Sequence, residues 1–156
     1  MKKFRIFPCI ILAGILCWYI LADIHLKWAI SNYQSNLEVY DTCIYNARNA
    51  SSLQEMVAQL VYVYTYYPNG TRGDKSSIAA SLSEKSRKMA CESIITHLEY
   101  RTGETLCISS LQNGNKERPN EILANQVQAW IQKYGSRNAQ ENFEAFRAYE
   151  MKDASK

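Results

Sequence analysis

The hydrophobic positions fall into one unbroken apolar block followed by several amphipathic stretches. Residues Ile6 to Ala22 (IFPCIILAGILCWYILA) run for 17 positions without a charge. As a helix rising about 1.5 Å per residue they reach roughly 25 Å, a little under the ~30 Å hydrocarbon layer of a bilayer. Trp18, Tyr19 and Trp28 suit the interface where aromatic rings settle between lipid and water. Beyond the block, Trp28, Ile30, Tyr33, Leu37, Tyr40, Ile44 and Ala47 recur at threes and fours and predict a helical continuation over 24–50.

Ser52-Leu53-Gln54-Glu55 has the spacing of a capping box. Leu53, Met56, Val57, Leu60, Val61 and Tyr64 then follow one helical face. The run Val61 to Tyr66 is β-branched and aromatic, so a short strand near 60–67 is the alternative to a helix ending about Tyr66. Pro68-Asn69-Gly70 makes a turn. The longest bundle helix is predicted over 77–102, with Ile78, Leu82, Met89, Ala90, Ile94, Ile95 and Leu98 inward and Gly103 as its left-handed cap. Residues 104–118 read as a loop. Pro119 opens a helix with Leu123, Val127, Trp130, Ile131 and Tyr134 inward, ended by Gly135. Asn138-Ala139-Gln140-Glu141 resembles another capping box, ahead of a last short helix carrying Phe143 and Phe146. The fold class is therefore all-α: one membrane-anchor helix and a bundle of about four helices.

Charge assigns the chain a direction. Lys2, Lys3 and Arg5 precede every acidic residue, and of the 18 basic residues the remaining 15 match 15 acidic ones. Cations before an apolar block stay on the cytoplasmic side, so the long carboxyl-terminal part is expected to be exported. Residues 1–5 form a cytoplasmic basic segment, 6–22 a signal-anchor, 23–150 an exported helical domain, and 151–156 a flexible tail. A signal peptide cut after Ala22 is the alternative, although Ile20-Leu21-Ala22 matches the small-x-small rule poorly. A neutral body argues against nucleic acid as a partner. At 156 residues the chain has room for one modest domain and not for a large Rossmann or barrel enzyme.

Chemistry is sparse. Cys9 and Cys17 lie in the apolar block, while Cys43, Cys91 and Cys107 fall in the exported part, an oxidising compartment. Three cysteines allow one disulfide: Cys91 with Cys107, or Cys43 with Cys91. No CxxC, GxxxxGK[ST], GxGxxG, HExxH or GxSxG occurs. The two histidines, His25 and His97, supply no metal set, and no cofactor is expected. A thiol nucleophile beside His97 is the one enzymatic option, with Cys91 and His97 on largely opposite faces of a helix. Lys85-Ser86-Arg87-Lys88 reads as a solvated face. Tyr62, Tyr64, Tyr66 and Tyr67 are a candidate interaction surface, with core packing as their competing use.

Tyr66-Tyr67-Pro68-Asn69-Gly70-Thr71-Arg72, the helix end Arg101-Thr102-Gly103, and Trp130-Ile131-Gln132-Lys133-Tyr134-Gly135 occur in that order. The combination resembles a family of small Gram-negative envelope proteins with a YYPxGT turn, a helix, a TG step and a WIxxY segment, over about half the chain. The resemblance implies a location, the bacterial inner membrane with the body in the periplasm, and no chemistry. Cys107 and the long stretch from Ile108 to Arg118 depart from that pattern. The motif residues Pro68, Gly70, Gly103, Trp130 and Tyr134 have structural explanations in turn, cap and packing. The sequence thus leads to a non-enzymatic, membrane-anchored periplasmic binding domain whose partner is a protein or a cell-wall component. A thiol-dependent hydrolase, or an immunity protein that neutralises a toxic enzyme, are the alternatives.

Overall fold

A computed structural model describes residues 6–66, 78–106 and 119–154. They form five α-helices: α1 (Ile6–Arg48), α2 (Leu53–Thr65), α3 (Ile78–Thr102), α4 (Pro119–Tyr134) and α5 (Arg137–Ala154). No strand occurs among the described residues, so the 60–67 segment takes the helical option.

The first helix is the dominant feature. The apolar block and the first helix of the body are one continuous 43-residue helix, about 64 Å long at the standard rise. Its two halves differ in surroundings. Every large hydrophobic side chain from Leu12 to Ile30 is 47–76% exposed. Only 6% of the most apolar window is buried inside the fold, which sets α1 apart from the core helix of a soluble protein. Alpha1 is long and apolar enough to cross a membrane.

Burial begins at Ala29 and proceeds through Asn36, Tyr40, Cys43 and Ala47, with Tyr33 half-buried between them. Alternating steps of three and four keep those residues on one stripe facing α2 and α3. Trp28 and Ile30, expected on that stripe, are exposed, and Leu37 and Ile44 lie at its edge. The seam instead mixes small Ala29, Cys43 and Ala47 with polar Asn36 and the large ring of Tyr40, whose hydroxyl donates to the Ser83 carbonyl of α3 at 3.3 Å.

Helix α2 is short but central, packing against α1, α3, α4 and α5. Ser52 is its N-cap and accepts from the Glu55 backbone N–H at 3.2 Å. The return bond of the box shifts by one residue, since the Glu55 carboxylate accepts from the backbone N–H and hydroxyl of Ser51 at 2.9 and 2.8 Å. Met56, Val57, Leu60, Val61, Val63 and Tyr64 are buried, so nearly half of this 13-residue helix is core.

Contacts from α1 to α3 join Tyr40 to Ser83 and Ala50 to Arg101, so the two helices run parallel. The Arg101 guanidinium donates to the Ala50 carbonyl at 2.8 Å and satisfies an acceptor just past the end of α1. Alpha4 and α5 form an antiparallel pair across Gly135-Ser136, fastened at the far end by Arg147 to Glu121 at 2.7 Å. At Gly135 a Cβ would lie 2.6 Å from the Ile131 carbonyl oxygen, so only glycine fits this reversal. Ser136, not Asn138, caps α5, accepting from the Ala139 N–H at 3.2 Å. That last helix is 18 residues long and reaches Ala154, well into the segment expected to be a flexible tail.

Candidate functional site

The sequence-derived candidates separate in space. Helical periodicity splits the tyrosines: Tyr64 is 3% exposed in the core, Tyr62 is 50% exposed, and Tyr66 is half-buried. Tyr64 therefore leaves the candidate surface, since its ring packs on Phe143 and Phe146 at 5.3 and 5.5 Å between centroids. Tyr67, Pro68 and Gly70 lie outside the described residues. Gly103 caps α3 at φ 71°, its N–H donating to the Glu99 carbonyl at 2.8 Å. Trp130 is fully buried and stacks on Tyr134 at 5.8 Å. The Tyr134 hydroxyl and Lys133 ammonium converge on Glu104, at 3.0 and 2.5 Å. These motif residues hold the end of α4 against the chain leaving α3.

Cys43 and Cys91 are both buried free thiols, so the Cys43–Cys91 disulfide is not formed. Cys107, the other expected partner of Cys91, lies outside the described residues. Burial pushes the Cys91 thiol up to about 12 and raises that of Cys43 as well. A nucleophilic cysteine needs the opposite shift. His97 instead accepts from the Arg48 guanidinium at 2.6 Å, a bond that requires its Nε2 unprotonated. No group of three or more His, Cys, Asp or Glu side chains among the described residues is placed to hold a metal ion.

The basic run on α3 is a correction. Arg87 is 8% exposed and Ser86 5%, so half of Lys85-Ser86-Arg87-Lys88 faces inward. The Arg87 guanidinium donates to the Tyr64 carbonyl at 3.2 Å and lies over the rings of Tyr64 and Phe146 at 5.7 and 5.8 Å. It satisfies the end of α2 and adds cation–π contact inside the bundle.

A concave feature among the described residues arises from α2 serving as a shared neighbour. Alpha1 and α5 both pack on α2 and little on each other, so a groove of about 850 Å³ opens between them. Alpha1 contributes Ser35, Glu38, Thr42 and Asn46, α2 contributes Gln59 and Tyr62, and the start of α5 contributes Asn138 and Asn142. Val39, Cys43, Val61 and Ala139, with Ala58, supply its apolar lining. Glu38 is its single charged residue among the described residues. The Ser35 and Thr42 hydroxyls donate to carbonyls one turn back on α1, leaving their lone pairs outward. The Tyr62 ring leans on Tyr66 at 5.6 Å, and partial burial beside Cys43 raises its phenol, so it stays neutral.

Sequence reasoning singled out Tyr62 and, as a possible disulfide partner, Cys43 among these. The signal for the α1 wall was present, since Ser35, Glu38, Thr42 and Asn46 stand at helical spacing. The α5 wall had none, because its placement depends on the α4–α5 reversal.

The molecule so far belongs to a broad class, an all-α bundle carried on a helix that extends bare and apolar beyond it. No protein-family model, no curated protein and no solved structure matches the chain.

Proposed function

We propose that the chain is a non-enzymatic, membrane-anchored binding protein, held in the inner membrane by the first half of α1 with its bundle in the periplasm. The observation that carries this reading is the contrast along α1, bare and apolar before Ala29 and buried in a bundle after it. Eleven large hydrophobic side chains from Leu12 to Ile30 stay exposed among the described residues, and lipid is the surrounding that suits them. Lys2, Lys3 and Arg5 supply the orientation through the positive-inside preference. The body then offers a groove for a partner, and the burial of Cys43 and Cys91 favours binding over thiol chemistry.

Two measurements test it. The full chain is expected in the membrane pellet and resistant to alkaline carbonate. A carboxyl-terminal alkaline phosphatase fusion is expected to be active and a fluorescent-protein fusion dark. A carbonate-soluble protein, or the reverse reporter result, defeats the proposal.

A further inference from the structure

The groove between α1, α2 and α5 is bordered by uncharged polar side chains together with Glu38. Four side-chain amides, Asn46, Gln59, Asn138 and Asn142, border it on three helices. Each amide presents a donor and an acceptor, the pairing that sugar hydroxyls and acetamido groups complement. Tyr62 stands half-exposed at the same rim, its ring braced by Tyr66 and its phenol neutral. An amphipathic ring so held offers a flat face to the C–H side of a pyranose and a hydroxyl to its edge. The volume of about 850 Å³ lies within the range of small-ligand clefts, roughly 300–1,000 Å³.

Charge narrows the ligand further. Among the described residues no Lys, Arg or His lines the groove, and Glu38 opposes anions. Phosphates, nucleic acids and carboxylate-rich chains find no counter-charge there. The described residues offer no strand edge, so a peptide would not be held here as an added strand.

We infer that this groove binds a neutral, N-acetylated oligosaccharide, laid across Tyr62 and hydrogen-bonded by the amides of α1, α2 and α5. The inference specifies the partner of the binding domain proposed above and rests on that reading. An uncharged acetamido-sugar chain is one of the polymers a body exposed outside the cytoplasm would meet.

The test uses the full chain in lipid nanodiscs, free of sugar detergents, titrated calorimetrically with chitotetraose. Saturable binding is expected, weakened about tenfold or more by Tyr62→Ala and by Asn142→Ala. Arg137→Ala, an exposed change outside the groove, is expected to leave affinity unchanged. Asn142 is exposed, so its variant tests the site without a packing change; circular dichroism melts confirm that each variant folds. Absence of binding at millimolar chitotetraose overturns the inference. So does equal binding by Tyr62→Ala and Asn142→Ala, or tighter binding of tetra-alanine. A cytosolic reporter result sinks the periplasmic placement but leaves this titration as it stands, so the two failures are told apart.

Discussion

Single residues hold the helix ends, and their removal has calculable effects. Ser52 satisfies an orphan N–H of α2, the helix that touches all the others. Ser52→Ala is expected to lower stability by about 1 kcal/mol, read as a drop in the urea midpoint at constant m. Trp130 is fully buried, so Trp130→Ala is expected to cost about 3–5 kcal/mol in the same assay. Its indole N–H has no partner, so Trp130→Phe, which also removes that donor, is expected to cost less. The Glu104 cluster adds a pH dependence. The Lys133 and Tyr134 hydrogen bonds hold the Glu104 carboxyl below its usual value, and Glu104 raises Lys133 in return. The Glu104 contribution is full above the unfolded carboxylate pKa and fades as pH falls through the folded value. The Lys133 contribution is full below the unfolded lysine pKa and fades as pH rises through the folded one. Glu104→Gln is therefore expected to flatten both limbs of a stability–pH profile, most visibly the acid one. Both groups are largely solvated, so the change is small.

At the scale of elements, what was legible followed from local rules. Periodicity and caps located all five helices, and Gly103 ended α3 where a left-handed cap was expected. What local rules miss is which side of a helix meets which neighbour. In α1, Trp28 and Ile30 share the helical pattern yet stay exposed, while Asn36 and Cys43 are buried because α2 and α3 both approach that side. In α3, Met89 points outward at 59% exposure while Ser83, Ser86 and Arg87 turn in, since Tyr40 and the end of α2 supply polar partners there. The α5 cap moved from Asn138 to Ser136 because the tight reversal at Gly135 starts the helix earlier. The groove was legible only in part, one wall lying on a single helix and the other created by tertiary packing. The cysteines give the check on packing at this scale. Cys91 is fully buried with its thiol pushed up to about 12, so a maleimide reagent is expected to label it only after denaturation. Labelling of Cys91 in the native protein would show that α3 detaches from α1.

For the whole molecule, the continuity of α1 matters more than any single contact. A chain with a flexible linker between anchor and domain would let the domain tumble; here the same helix that leaves the apolar block becomes a wall of the bundle. Inserting Gly-Gly after Lys27 is expected to leave the melting temperature of the body nearly unchanged, because burial starts only at Ala29. It would release the body from the helix axis, measurable as increased tumbling of a spin label on α5. Under the proposed anchoring, α1 also acts as a ruler. Ser35 and Asn46 stand 5 and 16 residues beyond Ile30, so the groove rides about 8 to 24 Å past the last lipid-suited side chain, at a fixed altitude and compass bearing. A tethered sentinel of that kind samples one thin stratum of its compartment, and whatever it catches is held at a set standoff from the bilayer.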